Sequence, residues 1–256
     1  MGYLENFKVV DEVAIVSGGS KGLGRAMALG LAECGAKVVV ASRTVSLIEE
    51  TANEIIKNGG EAIAVPVDVK NPQSIEQMVA QVVDRYGRVD ILINNAGIAP
   101  MKKTMETDIE DWNDVLNTNL KSAFLVSKAV ARSMIRQRRG KIINMGSVLG
   151  HMVSGVSMPY CVSKAGIAHM TKALALEWAP YGLNINCIAP GYFETELNKV
   201  LVEDKEFTDW LCKRTPAGRW GNVEELCGTA VFLSSKASNF VNGQIIFVDG
   251  GLTSSV

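Results

Sequence analysis

The sequence predicts a single α/β domain built on a doubly wound parallel sheet of seven strands, with helices on both faces. Short β-branched runs alternate with longer helical patterns along all 256 residues, the order expected for parallel strands joined by crossover helices. Most of these runs are continuously apolar, as strands buried on both faces are. No linker or shift in composition divides the chain. Residues 1–256 are therefore expected to form one domain, with residues 1–10 as an N-terminal extension.

Each element of this sheet can be placed along the chain. The predicted strands are Glu12–Ser17, Lys37–Ala41, Ala62–Val67, Asp90–Ile93, Lys141–Met145, Asn184–Ile188 and Gln244–Val248. The predicted helices are Leu23–Cys34, Ser46–Asn58, Pro72–Tyr86, Asp108–Gln137 and Ser157–Ala179. Glycines at 59, 60 and 87 are typical helix stops and support two of these ends.

Composition excludes several functional classes. Lys and Arg total 26 against 27 Asp and Glu, a net charge of -1, whereas a protein that neutralises nucleic-acid phosphates needs a cationic surplus. No apolar run approaches the roughly 18–20 residues that cross a bilayer. Five widely spaced cysteines without a C-x-x-C pair favour reduced thiols over disulfides or zinc. We expect a cytoplasmic protein without nucleic-acid or membrane partners.

A glycine-rich turn follows the first strand and precedes the first helix. Such a turn lets the backbone approach a pyrophosphate, and the helix N-terminus supplies free N–H groups and a positive dipole end. This context predicts a Rossmann-like dinucleotide site. The turn residues expected at the cofactor are Gly18, Ser20, Lys21, Gly22, Leu23 and Gly24.

The end of the second strand indicates which dinucleotide is bound. Enzymes selective for NAD place an acidic residue there, about 20 residues beyond the glycines, to bind the ribose 2′-hydroxyl. This chain has Ser42 and Arg43 instead, and a guanidinium pairs with a 2′-phosphate. Lys21 adds a second positive charge. The sequence therefore predicts NADP(H), with NAD(H) as the alternative.

Tyr160 and Lys164 form a Y-x-x-x-K pair on a helical pattern. Residues at i and i+4 share a helix face, so the ammonium lies near the phenol. Bringing a tyrosine pKa from about 10 toward 7 requires roughly 4 kcal/mol of preferential phenolate stabilisation. A neighbouring lysine and the positive ring of an oxidised nicotinamide are the expected sources.

Together these motifs resemble the short-chain dehydrogenase/reductase family over the whole chain except about the first ten residues. The matched motifs are the Ser17–Gly24 turn, Asp68-Val69, Asn94-Asn95-Ala96-Gly97, Asn117-Thr118-Asn119, Ser147, Tyr160 with Lys164, and Pro190-Gly191 followed by Thr195. One small departure is Gly146, where the family often has a second serine before the catalytic one. The catalytic position itself is filled.

The resemblance implies a catalytic role for four residues. Tyr160 would be the general acid in reduction and the general base in oxidation, and Ser147 would orient the substrate oxygen. Lys164 would hold the nicotinamide ribose and lower the pKa of Tyr160. Asn119 would anchor a water that connects Lys164 to solvent. No metal is expected to take part.

The resemblance also places the rest of the cofactor. Asp68 would meet the adenine amino group, with the Val69 backbone alongside. The residues expected beside the adenosine ribose are Asn95, Ala96 and Gly97, and those expected around the nicotinamide carboxamide and pyrophosphate are Pro190, Gly191 and Thr195. His151 and Tyr192 are candidates for substrate contact, with ordinary packing as the alternative. Residues 194–220, with two tryptophans, are expected to form a substrate lid.

The last quarter of the chain resembles the gluconate 5-dehydrogenase branch of that family, notably at residues 189–193, 210–221 and 247–251. A sugar acid such as gluconate or 5-ketogluconate is therefore the expected substrate. Its carboxylate needs a cation, and Lys102 or Lys103 would supply it. The apolar stretch Leu149–Val153 instead suits a steroid, a cyclic ketone or a 3-oxoacyl thioester. A third hypothesis is a non-enzymatic dinucleotide-binding module. The presence of all four expected catalytic residues argues against it.

The family also implies a homotetramer. The predicted helices 108–137 and 157–179 would pair across one two-fold axis, and the C-terminal strand region would lie at another. Apolar residues at helical spacing on the second helix are expected to contribute surface. They are Val162, Ile167, Met170, Leu174 and Trp178.

Overall fold

The computed structural model describes residues 2–254 and shows one sheet of seven parallel strands. The strand order is β3-β2-β1-β4-β5-β6-β7, so the chain winds first to one side of β1 and then to the other. The strands are β1 Val13–Ser17, β2 Lys37–Ser42, β3 Glu61–Pro66, β4 Ile91–Asn94, β5 Gly140–Met145, β6 Leu183–Pro190 and β7 Ile245–Val248. The predicted fold class is confirmed. Met1 and the last two residues of the predicted domain lie outside the described residues.

The helices pack on both faces of this sheet. They are α1 Gly22–Glu33, α2 Val45–Lys57, α3 Pro72–Tyr86, α4 Ile109–Leu116, α5 Ser122–Gln137, α6 Met158–Trp178, α7 Lys199–Glu203, α8 Lys205–Arg214 and α9 Cys227–Ser234. Each predicted strand ends within two residues of an observed one, and the helices predicted around α1, α2, α3 and α6 end within one.

Alternate strand residues feed two separate apolar layers. In β1, Val13 and Ile15 face the layer that contains α3, α5 and α6, while Ala14 and Val16 face the layer that contains α1, α2 and α9. Side chains alternate between the faces of a strand, so burial on both faces requires the continuous apolar runs seen in the sequence. The helices thus hold the strand ends, and the loops that follow them, in fixed positions.

The helix predicted over residues 108–137 is not continuous, and that prediction is wrong. A π-helical turn, Asn117–Lys121, separates α4 from α5. Such a turn inserts an extra residue into the helical repeat and is frequent at functional sites. Here it directs the Asn119 side chain toward α6 and toward the loop after β4, where the amide makes three hydrogen bonds.

The prediction that five apolar residues of α6 contribute surface is wrong for three of them. Ile167, Leu174 and Trp178 are buried within their own chain, and the last two pack in the apolar layer on the sheet. Val162 is exposed, and so is Leu176, which the pattern did not single out.

The two flanking segments differ in how they pack. Residues Tyr3–Phe7 of the predicted extension form an exposed 3-10 turn, but Val9 is buried and its N–H donates to the Cys34 carbonyl at 3.0 Å. The predicted lid contains α7 and α8. Within residues 2–254, no helix has both the length and the hydropathy needed to cross a membrane.

Candidate active site

The glycine turn joins β1 to α1 at the carboxyl edge of the sheet. Gly18 and Gly22 have φ values of +66° and +54°, which glycine adopts readily and other residues rarely do. A Cβ on Gly18 would lie 2.9 Å from the Asn95 amide nitrogen, so only glycine fits there. The N-cap of α1, Lys21, makes no side-chain cap. The first N–H groups of α1 therefore remain available to a phosphate.

The end of β2 fits a phosphorylated ribose. The Gly18 N–H donates to the Ala41 carbonyl at 2.7 Å, which holds the turn beside this strand end. The Ser42 hydroxyl oxygen is buried and has no hydrogen-bond partner in the described chain. Arg43 and Lys21 are exposed, and within residues 2–254 neither forms an ion pair with a carboxylate. The Ser42 hydroxyl could donate to a 2′-phosphate, and the Arg43 and Lys21 side chains could pair with its charge.

The predicted adenosine residues lie at the same edge of the sheet. Asp68 follows β3, and its carboxylate accepts the Lys70 N–H at 2.9 Å. The Ser17 hydroxyl accepts the backbone N–H groups of Asn95 at 3.1 Å and Ala96 at 3.3 Å. These bonds hold the loop after β4 against the glycine turn. Val69, which is buried, and Gly97, which is exposed, belong to the same two loops.

The loop after β6 reaches the glycine turn from the other side. The Gly191 N–H donates to the Val248 carbonyl at 2.9 Å, which fixes the loop where Pro190 ends β6. Four residues later, the Thr195 side chain lies 3.6 Å from the position of a Cβ on Gly22. The structure therefore brings Thr195 to the predicted pyrophosphate site.

Ser147, Tyr160 and Lys164 meet where β5 ends. Ser147 follows β5 directly, and Tyr160 and Lys164 lie one turn apart on α6. The Ser147 side chain is close enough to the Tyr160 phenol to lower its pKa. The Lys164 ammonium lies 5.5 Å from the centroid of the Tyr160 ring and donates to the Met145 carbonyl at 2.7 Å. The sequence-predicted catalytic groups are thus brought together.

The pKa of Tyr160 is raised in this structure, whereas the sequence predicts that it is lowered. Burial raises the pKa of Tyr160 to about 12, and Ser147 offsets only part of that rise. Burial also lowers the pKa of Lys164 to about 8. Desolvation penalises the charged form of each group, and the predicted effect of Lys164 on the pKa of Tyr160 stays a prediction.

Asn119 uses its whole side-chain amide to hold other segments. Its oxygen accepts the Ile98 N–H at 2.8 Å, and its nitrogen donates to the Ile98 carbonyl at 2.9 Å and to the Ser163 hydroxyl at 3.0 Å. Ser163 in turn donates to the Tyr160 carbonyl at 2.7 Å. Asn119 therefore ties the loop after β4 to the turn that carries Tyr160. Its predicted role in anchoring a water stays a prediction.

Comparison with known proteins agrees with this geometry. A family model described as enoyl-(acyl carrier protein) reductase matches residues 18–253. A gluconate 5-dehydrogenase of Gluconobacter oxydans is 45% identical over 256 residues and 100% of both chains. The chain belongs to the short-chain dehydrogenase/reductase family. It is accordingly an NAD(P)-dependent oxidoreductase. The hypothesis of a non-enzymatic dinucleotide-binding module is therefore excluded.

Two further relatives are similar along nearly the whole chain. A 5-keto-D-gluconate 5-reductase of Escherichia coli K12 is 40% identical over 250 residues, 98% of each chain. The crystal structure of a gluconate 5-dehydrogenase from Burkholderia cenocepacia, in complex with NADP and tartrate, superposes with a TM-score of 0.97 at 44% identity and covers 100% of both chains. The resemblance to the gluconate 5-dehydrogenase branch is confirmed.

On the substrate side of this dehydrogenase/reductase fold, Tyr192 belongs to an aromatic cluster with two residues of the predicted lid. Its ring lies 5.6 Å from Phe207 and 5.8 Å from Trp220, the latter edge-on at 87°. Burial raises the pKa of Tyr192, and the phenol is close enough to add to the raised pKa of Tyr160. Tyr192 therefore lies near the reacting group.

The other residues expected to contact substrate, His151 and Lys102, are engaged in contacts of their own. His151 is exposed and packs edge-on against Phe247 of β7, with ring centroids 5.4 Å apart. Lys102, one of two expected carboxylate partners, already forms an ion pair with Asp111. Leu149 and Met152 pack in the cluster that contains Tyr192. Within residues 2–254, no group of His, Cys, Asp and Glu side chains is arranged to hold a metal ion.

Sequence reasoning missed a buried polar row beneath the site. The Asn94 amide donates to the Ser127 hydroxyl at 2.8 Å and to the Asn144 oxygen at 2.9 Å, and the Asn144 amide donates to the Thr171 hydroxyl at 3.0 Å. The signal was present, since an asparagine interrupts each of the otherwise apolar runs of β4 and β5. A buried amide must find hydrogen-bond partners.

Proposed function

We propose that this enzyme interconverts a secondary alcohol and a ketone of a sugar acid of the gluconate/5-ketogluconate type, with NADP(H) as its preferred cofactor. The observation that carries the proposal is the meeting of Ser147, Tyr160 and Lys164 beside the glycine turn. Similarity along the whole chain to gluconate 5-dehydrogenase and 5-keto-D-gluconate 5-reductase supports the substrate class.

Tyr160 handles the proton of the reaction. When bound, the oxidised cofactor accepts a hydride at its positively charged nicotinamide ring. In oxidation the Tyr160 phenolate takes the hydroxyl proton while the carbon–hydrogen bond breaks; in reduction the Tyr160 phenol returns a proton to the substrate oxygen. The Ser147 hydroxyl, which is close enough to Tyr160 to lower its pKa, would orient that oxygen.

Lys164 serves the cofactor and the phenolate together. Its ammonium is held by the Met145 carbonyl beside the Tyr160 ring, and it would also hold the nicotinamide ribose. Since burial is the main cause that raises the pKa of Tyr160 to about 12, a positive charge brought by the oxidised cofactor would favour the phenolate. Base strength would then develop only in the loaded site.

The preference for NADP(H) rests on the end of β2. Arg43 and Lys21 would pair with a 2′-phosphate, and the unpartnered Ser42 hydroxyl would donate to it. No carboxylate follows Ala41 directly to bind a 2′-hydroxyl. NAD(H) is the weaker cofactor in this proposal.

A second candidate is the reduction of a more apolar carbonyl, such as a steroid, a cyclic ketone or a 3-oxoacyl thioester. It is favoured by the ion pair that engages Lys102 with Asp111 and by the apolar Leu149 and Met152 beside Tyr192. A polyol acid requires polar partners at those places.

Oxidation of D-gluconate, followed by nicotinamide absorbance with NADP and NAD side by side, tests the proposal. We expect turnover with the higher kcat/KM for NADP, and a loss of about 10³-fold in kcat for Tyr160→Phe with NADPH binding retained. Tyr181→Phe, which removes a half-exposed phenol outside the site, is the matched control. Absence of turnover by a protein that binds NADPH would reject the sugar acid and favour the apolar carbonyl.

A further inference from the structure

Strand β5 and the loop directly after it meet α6 at three points. The Asn144 amide donates to the Thr171 hydroxyl at 3.0 Å, and the Lys164 ammonium donates to the Met145 carbonyl at 2.7 Å. At the third point the Ser147 side chain is close enough to the Tyr160 phenol to lower its pKa. The order of attachment is reversed between the two segments, because α6 runs antiparallel to β5. The helix residues are spaced by four and seven, so all three lie on one helix face.

These contacts determine the position of α6 along its own axis relative to β5. Close packing between α6 and the sheet resists a shift along that axis, but apolar contacts are not directional, whereas hydrogen bonds are. A helix rises about 1.5 Å per residue, so a shift of one residue would move the Tyr160 phenol by about that distance relative to Ser147. A hydrogen bond farther along α6 would help to prevent such a shift.

Thr171 supplies that bond. It is fully buried, its hydroxyl donates to the Ile167 carbonyl at 2.9 Å, and it accepts the Asn144 amide. Asn144 in turn accepts from Asn94 at 2.9 Å, so the row runs from β4 through β5 to α6. Thr171 lies three turns beyond Tyr160 and contacts neither the phenol nor the lysine in this network.

We infer that Thr171 is a positioning residue, which holds α6 at the height on β5 where the Tyr160 hydroxyl meets Ser147. This inference rests on the proposed role of Tyr160. It also gives the Asn94–Asn144 row a function, because the row anchors the donor of this bond, the Asn144 amide, in the centre of the sheet.

Thr171→Val tests this inference, because the two side chains have the same shape and only the hydroxyl is lost. We expect the apparent pKa of Tyr160 in the pH profile of kcat for D-gluconate oxidation to rise by about one unit, and kcat below that pKa to fall about tenfold. KM for NADP should stay within about twofold. Thr171→Ser keeps the hydroxyl and should restore the wild-type pH profile.

The matched control is Thr51→Val. Thr51 is also buried, and its hydroxyl also donates to the carbonyl four residues earlier, Leu47 at 3.1 Å, but it lies on α2 and is remote from the site. It should lower the melting temperature as Thr171→Val does without moving the pH profile. If Thr171→Val does not fold, Thr171→Cys, whose thiol is a weak acceptor, takes its place.

Two results would overturn the inference: an unchanged pH profile in Thr171→Val, or the same defect in Thr171→Ser as in Thr171→Val. Failure of the proposed function is separable. The phenolate difference spectrum of the NADP complex, taken against the Tyr160→Phe counterpart of each variant, reports the pKa without turnover. Activity retained by Tyr160→Phe would reject the catalytic role itself, whatever Thr171 does.

Discussion

Gly146 differs from the serine that the family often has at this position, while Ser147, the next residue, is retained. The position before the catalytic serine often carries a second serine in this family, but here a Cβ would lie 2.7 Å from the Cys187 thiol. Cys187 is fully buried and its thiol occupies that space. The glycine and the cysteine are therefore complementary in volume.

This complementarity predicts that Gly146→Ser is destabilising and that Cys187→Ala relieves it. The serine should lower the free energy of unfolding by about 1–3 kcal/mol through overpacking, and the double variant should recover at least about 1 kcal/mol of that loss. Denaturant unfolding of the four proteins in the cycle measures the coupling. Gly228→Ser, at a glycine with open space around it, is the control, and additivity of the two site changes would contradict the prediction.

The reacting residues illustrate what a sequence pattern conveys at this scale. The spacing of Tyr160 and Lys164 predicted their proximity, which the structure has. It did not predict the direction of the Tyr160 pKa, which burial raises to about 12. Spacing along a helix encodes distance between side chains, whereas desolvation depends on everything packed around them. Thr171 was missed for a related reason, since nothing local marks the strand residue that it meets.

At the scale of elements, continuous apolar runs predicted every strand, because burial on both faces leaves a strong signal. The π-helical turn at Asn117–Lys121 left no such signal. Residues 109–137 contain no Pro or Gly to interrupt a helix, and the extra residue is retained because Asn119 gains bonds to Ile98 and Ser163. Tertiary hydrogen bonds outweighed local preference there.

The amino-terminal part of β5 carries a buried cation that makes stability depend on pH. Lys141 donates to the Asn184 and Asn239 side-chain oxygens at 3.0 Å and to the Ser238 hydroxyl at 3.3 Å. All three acceptors are neutral, and burial lowers the pKa of Lys141 to about 8, against a smaller raising effect of Glu12. The ammonium ties β5 to β6 and to the segment before β7.

From this we predict that the contribution of Lys141 to stability rises between pH 8 and pH 10.5. The folded pKa of Lys141 lies below the unfolded value of 10.5, so the unfolded chain binds more protons in that window and the penalty is largest below pH 8. Full linkage would be about 3 kcal/mol, and partial exposure reduces it to about 1 kcal/mol.

The prediction is checked with Lys141→Met, whose unfolding free energy should rise less over that window than the wild type's. Lys164, with a pKa also near 8, contributes equally to both proteins and cancels in the difference. Identical pH dependence of the two proteins would show that the Lys141 ammonium carries no net penalty.

For the whole molecule, the distribution of exposed apolar residues bears on assembly. Of the five α6 residues expected at a subunit interface, three pack inside their own chain. What remains exposed on the paired helices is Val162 and Leu176 on α6 and Phe124 on α5, while Phe240 and Phe247 are exposed near the edge strand β7. Two apolar regions on different sides of the molecule are what a tetramer with two kinds of two-fold interface requires.

We therefore predict a homotetramer in which α5 and α6 meet their symmetry copies at one of these interfaces. Light scattering during gel filtration should give the mass of four chains of 27.5 kDa. Leu176→Glu, at a side chain that is 82% exposed, would place a charge in that interface and should yield dimers, because a buried unpaired charge costs more than a standard apolar contact returns. Ile56→Glu, 52% exposed on α2 and outside both regions, should remain tetrameric. A wild type that elutes as a monomer, or a Leu176→Glu variant that keeps four chains, would contradict this assignment of the interface.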